Sequence, residues 1–190
     1  MNIVSVLLTL LLSGLMAGCS TITEKDLVDL QSHNDTVKKE AIQKLTRGEN
    51  FFLSLIGPFL NRGMEKKAVS IMVESLSGAK TSEDIQLSIL KAMGELGKRT
   101  EVPVSPLIEG LKDGNPQIRL QAVESLGKIK NERSVPALIQ LLKSETDKYP
   151  VIWALGEIGD KSAVPALNRL LASRDKYVRY NANKALSKIR

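Results

Sequence analysis

The sequence from Leu126 to Leu142 returns twenty-nine residues later, from Leu155 to Leu171. Nine of the seventeen aligned positions are identical, and the shared residues are Leu, Ile, Val, Ala, Gly and Pro. A repeat of about 30 residues with constant core positions is typical of stacked helical hairpins, because each hairpin buries its apolar face only against a neighbour. The repeat therefore predicts an all-α fold, a right-handed α-solenoid of stacked helical hairpins.

Apolar residues at helical spacing extend the same organisation toward the N-terminus. Val104, Leu107 and Leu111 occupy the positions that Val, Leu and Leu hold in the later units. Before about residue 80 the spacing stays helical, but the repeat loses its regularity. We therefore predict one solenoid domain over 27–190, with irregular N-terminal hairpins to about residue 80 and regular repeats over 81–190.

Each repeat unit is predicted to bury its leucines and to expose polar residues on its second helix. The leucines expected in the core are Leu126, Leu138, Leu155 and Leu167. Successive second helices form a long face in a solenoid, and such a face suits an extended or convex protein partner. The polar residues predicted to bind an unidentified protein partner on this face are Glu109, Lys112, Gln140, Lys143 and Arg169.

Two aromatic features complete this description of the solenoid. The sequence Phe51–Leu60 contains all three phenylalanines of the chain together with Pro58, which predicts a short or kinked helix. This segment is either an irregular hairpin of the core or an exposed apolar lip that contacts lipid or a partner. Trp153 lies inside a predicted helix, and we expect its indole to pack between neighbouring units.

The C-terminal end of the chain carries all of its net charge. Between Arg169 and Arg190 there are seven basic side chains and one acidic side chain, and the net charge of the whole chain is +6. Clustered cations attract anionic partners, although a polar terminal helix also serves solubility. The residues predicted to bind an acidic partner surface or anionic envelope components are Arg174, Lys176, Lys184 and Lys188, with Arg179 as a further candidate.

The cysteine and histidine content limits the chemistry of the chain. There is one cysteine and one histidine, which excludes an internal disulfide and a site of clustered Cys and His ligands. The glycines fall at predicted helix ends and close contacts and form no phosphate-binding turn. We therefore predict that the protein is not an enzyme and has neither a cofactor nor a metal site.

The first residues resemble a bacterial lipoprotein precursor. The apolar run Ile3–Ala17 has the length of the apolar core of a signal peptide. Its end merges into Met16–Cys19, which is similar to the lipobox of these precursors. The resemblance implies cleavage before Cys19 and acylation of that residue with chains such as palmitate. It therefore implies a signal peptide over 1–18 and a short lipidated tether over 19–26.

The lipoprotein resemblance also implies a location. Ser20 follows Cys19, and this combination is similar to the outer-membrane sorting signal of diderm bacteria. The implied location is the bacterial cell envelope, where the lipid on Cys19 attaches the protein to the outer membrane, facing the periplasm. Nucleic acid is not an expected partner of an exported lipoprotein, despite the basic charge.

The repeat units resemble HEAT repeats, in particular the short bacterial kind found in the phycobilisome lyase group. The resemblance rests on Leu-Gly-x-Ile, on Val-Pro-Ala-Leu, and on Arg119 and Arg179, each preceded by an apolar residue. In that family the arginine binds an acidic residue earlier in the repeat. The resemblance therefore implies Asp113 and Asp175 as the partners of these arginines.

Three functions from different classes are compatible with these observations. The favoured one is a membrane-anchored envelope lipoprotein that acts as a protein-protein interaction scaffold through its solenoid surface. The alternative is a binder of polyanions or membrane surfaces, which would use the basic C-terminal end. The least favoured is a bilin lyase-like enzyme, since such a lyase would be expected in the cytosol and the export signal contradicts that location.

Overall fold

The computed structural model describes residues 24–46, 62–77, 81–98, 100–144 and 146–189. Every regular element within these residues is helical. The helices are α1 (Glu24–Leu30), α2 (Asp35–Thr46), α3 (Arg62–Ser77), α4 (Glu83–Leu96), α5 (Ser105–Gly110), α6 (Pro116–Ile129), α7 (Val135–Leu141), α8 (Lys148–Ile158), α9 (Val164–Leu170) and α10 (Lys176–Lys188). The segment Phe51–Leu60 and the lipobox with Cys19 lie outside the described residues, so both predictions stay untested.

The helices form two layers. In the first layer, α2, α4, α6, α8 and α10 each pack against the next helix of this set. In the second layer, α1, α3, α5, α7 and α9 each pack against the first-layer helix that follows in the chain. This alternation is the arrangement of a stacked-hairpin solenoid, because every unit covers the apolar face of its neighbour. The prediction of an all-helical solenoid is confirmed.

Polar residues at the turns start the first-layer helices α6 and α10. The Asn115 side chain accepts a hydrogen bond from the Gln117 amide at 2.9 Å, and Pro116 occupies the first helical position of α6. Asp175 accepts in the same way from the Tyr177 amide at 2.8 Å and starts α10. Each cap satisfies a backbone N–H that has no partner within its helix, which fixes where the helix begins.

The predicted core leucines are completely buried. Leu126, Leu138, Leu155 and Leu167 each have 0% exposure, and they belong to one continuous apolar cluster along the stack. The two leucines on first-layer helices and the two on second-layer helices come from the repeated motifs. The buried positions of the repeat are therefore those that join the layers and the units.

Glycines allow the first-layer helices to approach each other closely. A Cβ built on Gly156 would lie 2.9 Å from the Cα of Ala185, and one on Gly94 would lie 2.9 Å from the Cα of Ser125. Carbon atoms in contact normally stay at about 3.5–4.0 Å. The first-layer helices of successive units can therefore pack this closely only because these two positions carry glycine.

Trp153 packs between units but is not fully enclosed. Its ring atom Cζ3 lies 2.7 Å from the place where a Cβ on Gly127 would stand, so the indole covers the backbone of α6. The same side chain remains 40% exposed. The prediction that the indole packs between neighbouring units is therefore confirmed only in part, because the rest of the ring is exposed on the surface of the first layer.

Candidate functional site

The residues predicted on the second helices lie on the exposed side of the second layer. Glu109 in α5, Gln140 in α7 and Arg169 in α9 each stand two positions after a buried leucine, so they repeat along the stack. Lys112 and Lys143 follow α5 and α7 and are exposed as well. We name the surface formed by these five residues the second-layer face. The five predicted residues are thus exposed on, or directly after, three successive second-layer helices, and their role in binding stays a prediction.

The charge of the second-layer face changes along the stack. At α5 it carries the Glu109 carboxylate, which binds the Lys112 ammonium at 3.0 Å. At α7 the corresponding position holds the neutral Gln140, and at α9 it holds the cationic Arg169. The Glu109–Lys112 pair is about 70% exposed on both sides, so solvent screens it and leaves it free to exchange for a partner's charges.

A groove opens in the second-layer face between α3 and α5. Its volume is about 530 Å³, and its floor comes from the first-layer helices α4 and α6. Apolar side chains line it together with two acidic residues, Glu109 and Asp113, and the apolar residues include Val73, Leu76, Leu90 and Ile118. The groove has the size of a pocket for one or two apolar side chains of a bound segment. The sequence alone did not indicate this groove, because Leu76 has the spacing of an ordinary core residue.

The basic C-terminal end divides into exposed and engaged side chains. Arg174, Lys176 and Lys184 are exposed. Lys188 instead binds the Glu157 carboxylate of the preceding first-layer helix. Of the four residues predicted to bind an anionic partner, three are therefore available and Lys188 is held within the stack.

Lys188 is part of a row of charges that alternate in sign. The variable position of the Leu-Gly-x-Ile motif and its counterparts hold Glu95, Lys128, Glu157 and Lys188 in successive first-layer helices. The Lys128 ammonium lies 2.8 Å from Glu95, and Lys188 binds Glu157. Hydrogen bonds from Lys128 and then Lys98 lower the pKa of Glu95 from 4.5 to about 2.

Glu157 repeats this arrangement one pair further along the stack. Hydrogen bonds from Lys188 and Lys130 lower the pKa of Glu157 from its ordinary value, although burial opposes them. The Lys130 ammonium lies 3.2 Å from the carboxylate. The carboxylates of this row stay ionised at neutral pH and hold adjacent units in register.

The arginine contacts differ from those implied by the HEAT-repeat resemblance. The Arg119 guanidinium donates to the backbone carbonyls of Asp113 at 3.0 Å and Gly114 at 3.1 Å, while its Nε donates to the Asp147 carboxylate at 3.1 Å. The Asp113 carboxylate accepts a hydrogen bond from the Asn115 amide at 2.7 Å and forms none with Arg119. The partner of Arg119 is thus an acidic residue of the following unit, and the predicted Asp113 carboxylate pair is wrong.

Arg179 donates hydrogen bonds to backbone carbonyls in the same way as Arg119, but it forms no hydrogen bond to a carboxylate among the described residues. It donates to the carbonyls of Ser173 at 2.7 Å and Arg174 at 3.0 Å. The Asp175 carboxylate accepts instead from the Tyr149 hydroxyl and the Tyr177 amide, and these bonds, Tyr149 first, lower the pKa of Asp175. The charge of Arg179 adds only a smaller effect on that pKa. Arg179 and Asp175, the predicted pair, therefore interact through their charges and not through a hydrogen bond between their side chains.

The described residues offer no group of three or more His, Cys, Asp or Glu side chains placed to hold a metal ion. Among the described helices, none is both long enough and apolar enough to cross a bilayer. What the described surface does offer is a repeated polar face with one apolar groove, together with an aromatic and basic end.

Comparison with known structures supports the solenoid fold. The phycocyanin lyase complex of CpcE and CpcF from Nostoc sp. PCC7120 matches with a TM-score of 0.61 and 24% identity, over 86% of this chain and 63% of that chain. A designed armadillo repeat protein in complex with the peptide (KR)4 matches with a TM-score of 0.61 and 21% identity, over 96% and 84% of the two chains. The present chain thus spans less than two thirds of the lyase chain.

A further solved structure, a computationally designed armadillo repeat protein for modular peptide recognition, matches with a TM-score of 0.56 and 20% identity. The match covers 87% of this chain and 81% of that chain. Sequence identities this low support a shared fold and not a shared function. No curated protein gives a significant sequence match to this chain.

The family model described as HEAT repeats matches residues 69–150 and 148–190. These ranges contain the two aligned repeat sequences and the close glycine contacts between first-layer helices. They make up more than half of the chain, and the helices they contain have the two-layer packing described above. The chain therefore belongs to the HEAT-repeat family.

Proposed function

We propose that this protein is a membrane-anchored scaffold of the bacterial cell envelope that binds a protein partner through its second-layer face. The observation that carries the proposal is the groove between α3 and α5, which opens beside Glu109 at one end of that face. Val73 and Leu76 are partly exposed in this groove, and partly exposed apolar side chains gain free energy when a partner covers them. The row Glu109, Gln140 and Arg169 continues from the groove across three units.

The charges of the face define the partner's orientation. A segment bound along it would place an apolar side chain in the groove and a basic group near Glu109. Its other end would carry an acidic group opposite Arg169. Charge order of this kind contributes mainly to specificity and association rate, since the reversed segment would bring like charges together.

The test is photo-crosslinking in intact envelopes with the full chain. A benzophenone amino acid replaces Gln140 in one variant and the exposed Glu132 in a matched control. Glu132 lies in the 3₁₀ turn Glu132–Ser134, outside the second-layer face. We expect one defined crosslinked product from position 140 and none from position 132. Equal crosslinking from both positions, or none from 140, would contradict binding by this face.

The proposed anchor is the lipid on Cys19. The lipobox-like sequence Met16–Cys19 supports it. The first described helix, α1, begins at Glu24. Four residues separate Cys19 from Glu24, and a fully extended chain of that length spans at most about 14 Å. An acylated Cys19 would therefore keep the solenoid next to the membrane, and two or three acyl chains are needed for lasting attachment.

The anchor has its own test. We expect the Cys19→Ala variant to accumulate as an uncleaved precursor, while the wild-type N-terminal peptide carries acyl chains in mass spectrometry. An unmodified wild-type Cys19 would remove both the anchor and the proposed envelope location. This experiment is independent of the crosslinking at position 140, so each part of the proposal stands or falls separately.

Binding to anionic envelope components through the basic end is a second candidate function. The exposed side chains of Arg174, Lys176 and Lys184 favour it. We propose no enzymatic role, because the likeness to the phycocyanin lyase complex supports only the fold. Retention of the full chain on heparin resin, and its loss in Lys176→Glu/Lys184→Glu, would separate the charge-driven function from binding by the second-layer face.

A further inference from the structure

All tyrosines and the tryptophan of this chain lie exposed on two neighbouring helices. The chain contains three Tyr and one Trp. Their exposures are 39% for Tyr149 and 40% for Trp153 on α8, and 61% for Tyr177 and 66% for Tyr180 on α10. Large aromatic side chains usually gain free energy by burial, and Tyr, Trp and Arg dominate the energetics of protein interfaces.

The repeat register aligns two of these four aromatics with apolar residues of earlier units. Tyr149 and Tyr180 each stand six positions before the Leu of their unit, and Leu120 stands six positions before Leu126. Leu87 holds the same place in α4, where it and Leu120 line a shallow groove of about 320 Å³. At this position of the repeat, α4 and α6 therefore carry leucine, and α8 and α10 carry tyrosine.

Cations surround the aromatic end of this row. The Lys176 ammonium lies 5.1 Å from the centroid of the Tyr177 ring, which is within cation–π distance. Lys184 follows Tyr180 by four residues, one turn along α10. Arg174 precedes the helix and is exposed. Within the described residues, no ion pair to a carboxylate is formed by these three cations.

The carboxylate nearest to the aromatic side chains is already engaged. Asp175 accepts hydrogen bonds from the Tyr149 hydroxyl and the Tyr177 amide. The Asp175 carboxylate thus binds α8 to α10 and is not paired with Lys176 or Lys184. These two cations can therefore bind carboxylates of a partner. A partner with carboxylates facing these two cations and apolar side chains facing the rings would match the surface in both respects.

The geometry favours a protein segment over a bilayer as that partner. The Trp153 ring covers the α6 backbone at Gly127, and the Tyr149 hydroxyl is bound to Asp175, so these two side chains are held against the protein. Tyr177 and Tyr180 are more exposed, at 61% and 66%, but the charged Lys176 ammonium lies beside the Tyr177 ring. Insertion into a bilayer interface needs apolar groups that reach several ångströms beyond the protein. A protein segment can lie flat on such side chains.

We infer that the exposed side of α8 and α10 is a second docking surface, which binds an acidic protein segment bearing apolar side chains. We name it the aromatic face and define it by Tyr149, Trp153, Tyr177, Tyr180 and Lys184. It lies on the first layer, whereas the groove and Glu109 belong to the second layer. The two surfaces can therefore hold two different segments.

Trp153 provides a direct test, because it is the single tryptophan of the chain. The full chain in non-ionic detergent micelles is titrated with a synthetic peptide of repeating Glu-Glu-Leu triplets, and the emission of Trp153 is recorded. We expect a saturable blue shift that weakens as salt is added, since salt screens the attraction to the cations. A Lys-Lys-Leu peptide of equal length serves as the charge control and should give no shift.

Two variants separate this surface from the other one. Tyr177→Ala/Tyr180→Ala retains Trp153 and should weaken peptide binding about tenfold or more, the loss expected when two exposed interface aromatics are removed. Glu109→Ala/Gln140→Ala changes the second-layer face only and should bind the peptide as the wild type does. Circular dichroism verifies that both variants remain helical.

Three outcomes would overturn the inference. The first is an unshifted Trp153 emission at saturating Glu-Glu-Leu peptide. The second is an equal shift with the Lys-Lys-Leu peptide, which would mean that charge plays no part. The third is a shift in micelles that contain phosphatidylglycerol but none with the acidic peptide, which would assign the surface to lipid head groups. None of these outcomes bears on crosslinking at Gln140.

Discussion

Arg119 joins two successive units of the solenoid by binding Asp147. The Arg119 Nε atom lies 3.1 Å from the Asp147 carboxylate, and only 17% and 7% of the two side chains are exposed. The Ser144 hydroxyl also donates to this carboxylate, at 2.8 Å. The pair is therefore largely removed from water and satisfied by hydrogen bonds on both sides, which is the condition under which a buried ion pair holds.

Arg119→Ala should destabilise the protein by about 3–5 kcal/mol, because Asp147 would remain buried without its cation. Arg179→Ala is the matched control. Arg179 makes the same two backbone contacts in an exposed position and bonds no carboxylate, so its loss should cost only about 1 kcal/mol. Urea denaturation of both variants would measure the difference. Equal costs would mean that the pair with Asp147 contributes nothing beyond the backbone contacts.

Gly156→Ala should destabilise the stack by about 1–3 kcal/mol, since the new Cβ would meet the backbone of Ala185 and force α8 and α10 apart. Gly114→Ala provides the comparison, because no atom lies within 4 Å of the place where its Cβ would stand. Thermal unfolding followed by circular dichroism would compare the two. A Gly156→Ala protein as stable as Gly114→Ala would show that the units need no close approach there.

Leu126→Ala and Leu155→Ala should each cost about 2–5 kcal/mol, because a completely buried side chain would leave a cavity. Gln140→Ala and Arg169→Ala should stay within about 0.5 kcal/mol of the wild type, since both side chains are exposed. Denaturant midpoints of the four variants would separate the groups. If the polar substitutions proved as costly as the leucine substitutions, the second-layer face would be part of the core.

Glu95 should make the stability of the protein depend on pH in the acid range. Its pKa is about 2 in the folded protein, against an ordinary value of 4.5, so the stabilisation is complete above pH 4.5 and is lost as the pH falls toward 2. Because the side chain is about a third exposed, screening reduces the contribution to about 1 kcal/mol. Glu95→Gln should therefore be less stable than the wild type at pH 7 and equally stable near pH 2.

The companion variant Lys128→Ala removes the first of the two ammonium donors and leaves Lys98, 2.6 Å from the carboxylate. The acid dependence should then shrink without vanishing. Chemical denaturation at pH 7, 4 and 2 would measure the dependence in the wild type and in both variants. A constant gap between wild type and Glu95→Gln across this range would contradict an ionisation effect.

The fold follows from short-range features of the sequence to a large extent. The repeated Leu126 and Leu155 motifs predict two helices of the same type, and their period sets the size of one unit. Caps such as Asn115 and Asp175 and the proline at 116 fix the helix starts within one turn of chain. These properties depend on neighbours in sequence and on periodic burial, so they can be read before any contact is known.

The candidate binding surfaces depend on contacts that the sequence does not reveal. Lys184 and Lys188 are alike in sequence, yet Lys188 binds Glu157 across the interface between units and Lys184 does not. Likewise, Arg119 binds a carboxylate of the following unit, while Asp113 caps the turn before α6. Which charge is paired depends on how one unit is rotated and translated against the next, and that placement results from packing of the whole stack.

The sequence by itself determined that the chain is helical, repeated and buried at its leucines, because period and residue type decide those properties locally. It also showed the basic end and the conserved spacing of Leu-Gly-x-Ile within the chain. Only the tertiary structure decided that Gly156 packs directly against Ala185 and that Trp153 is partly packed and partly exposed. It also decided that the aromatic and second-layer faces lie on different layers. The physical reason is that the exposure of a side chain depends on how two neighbouring units pack against each other, and not on the sequence of a single helix.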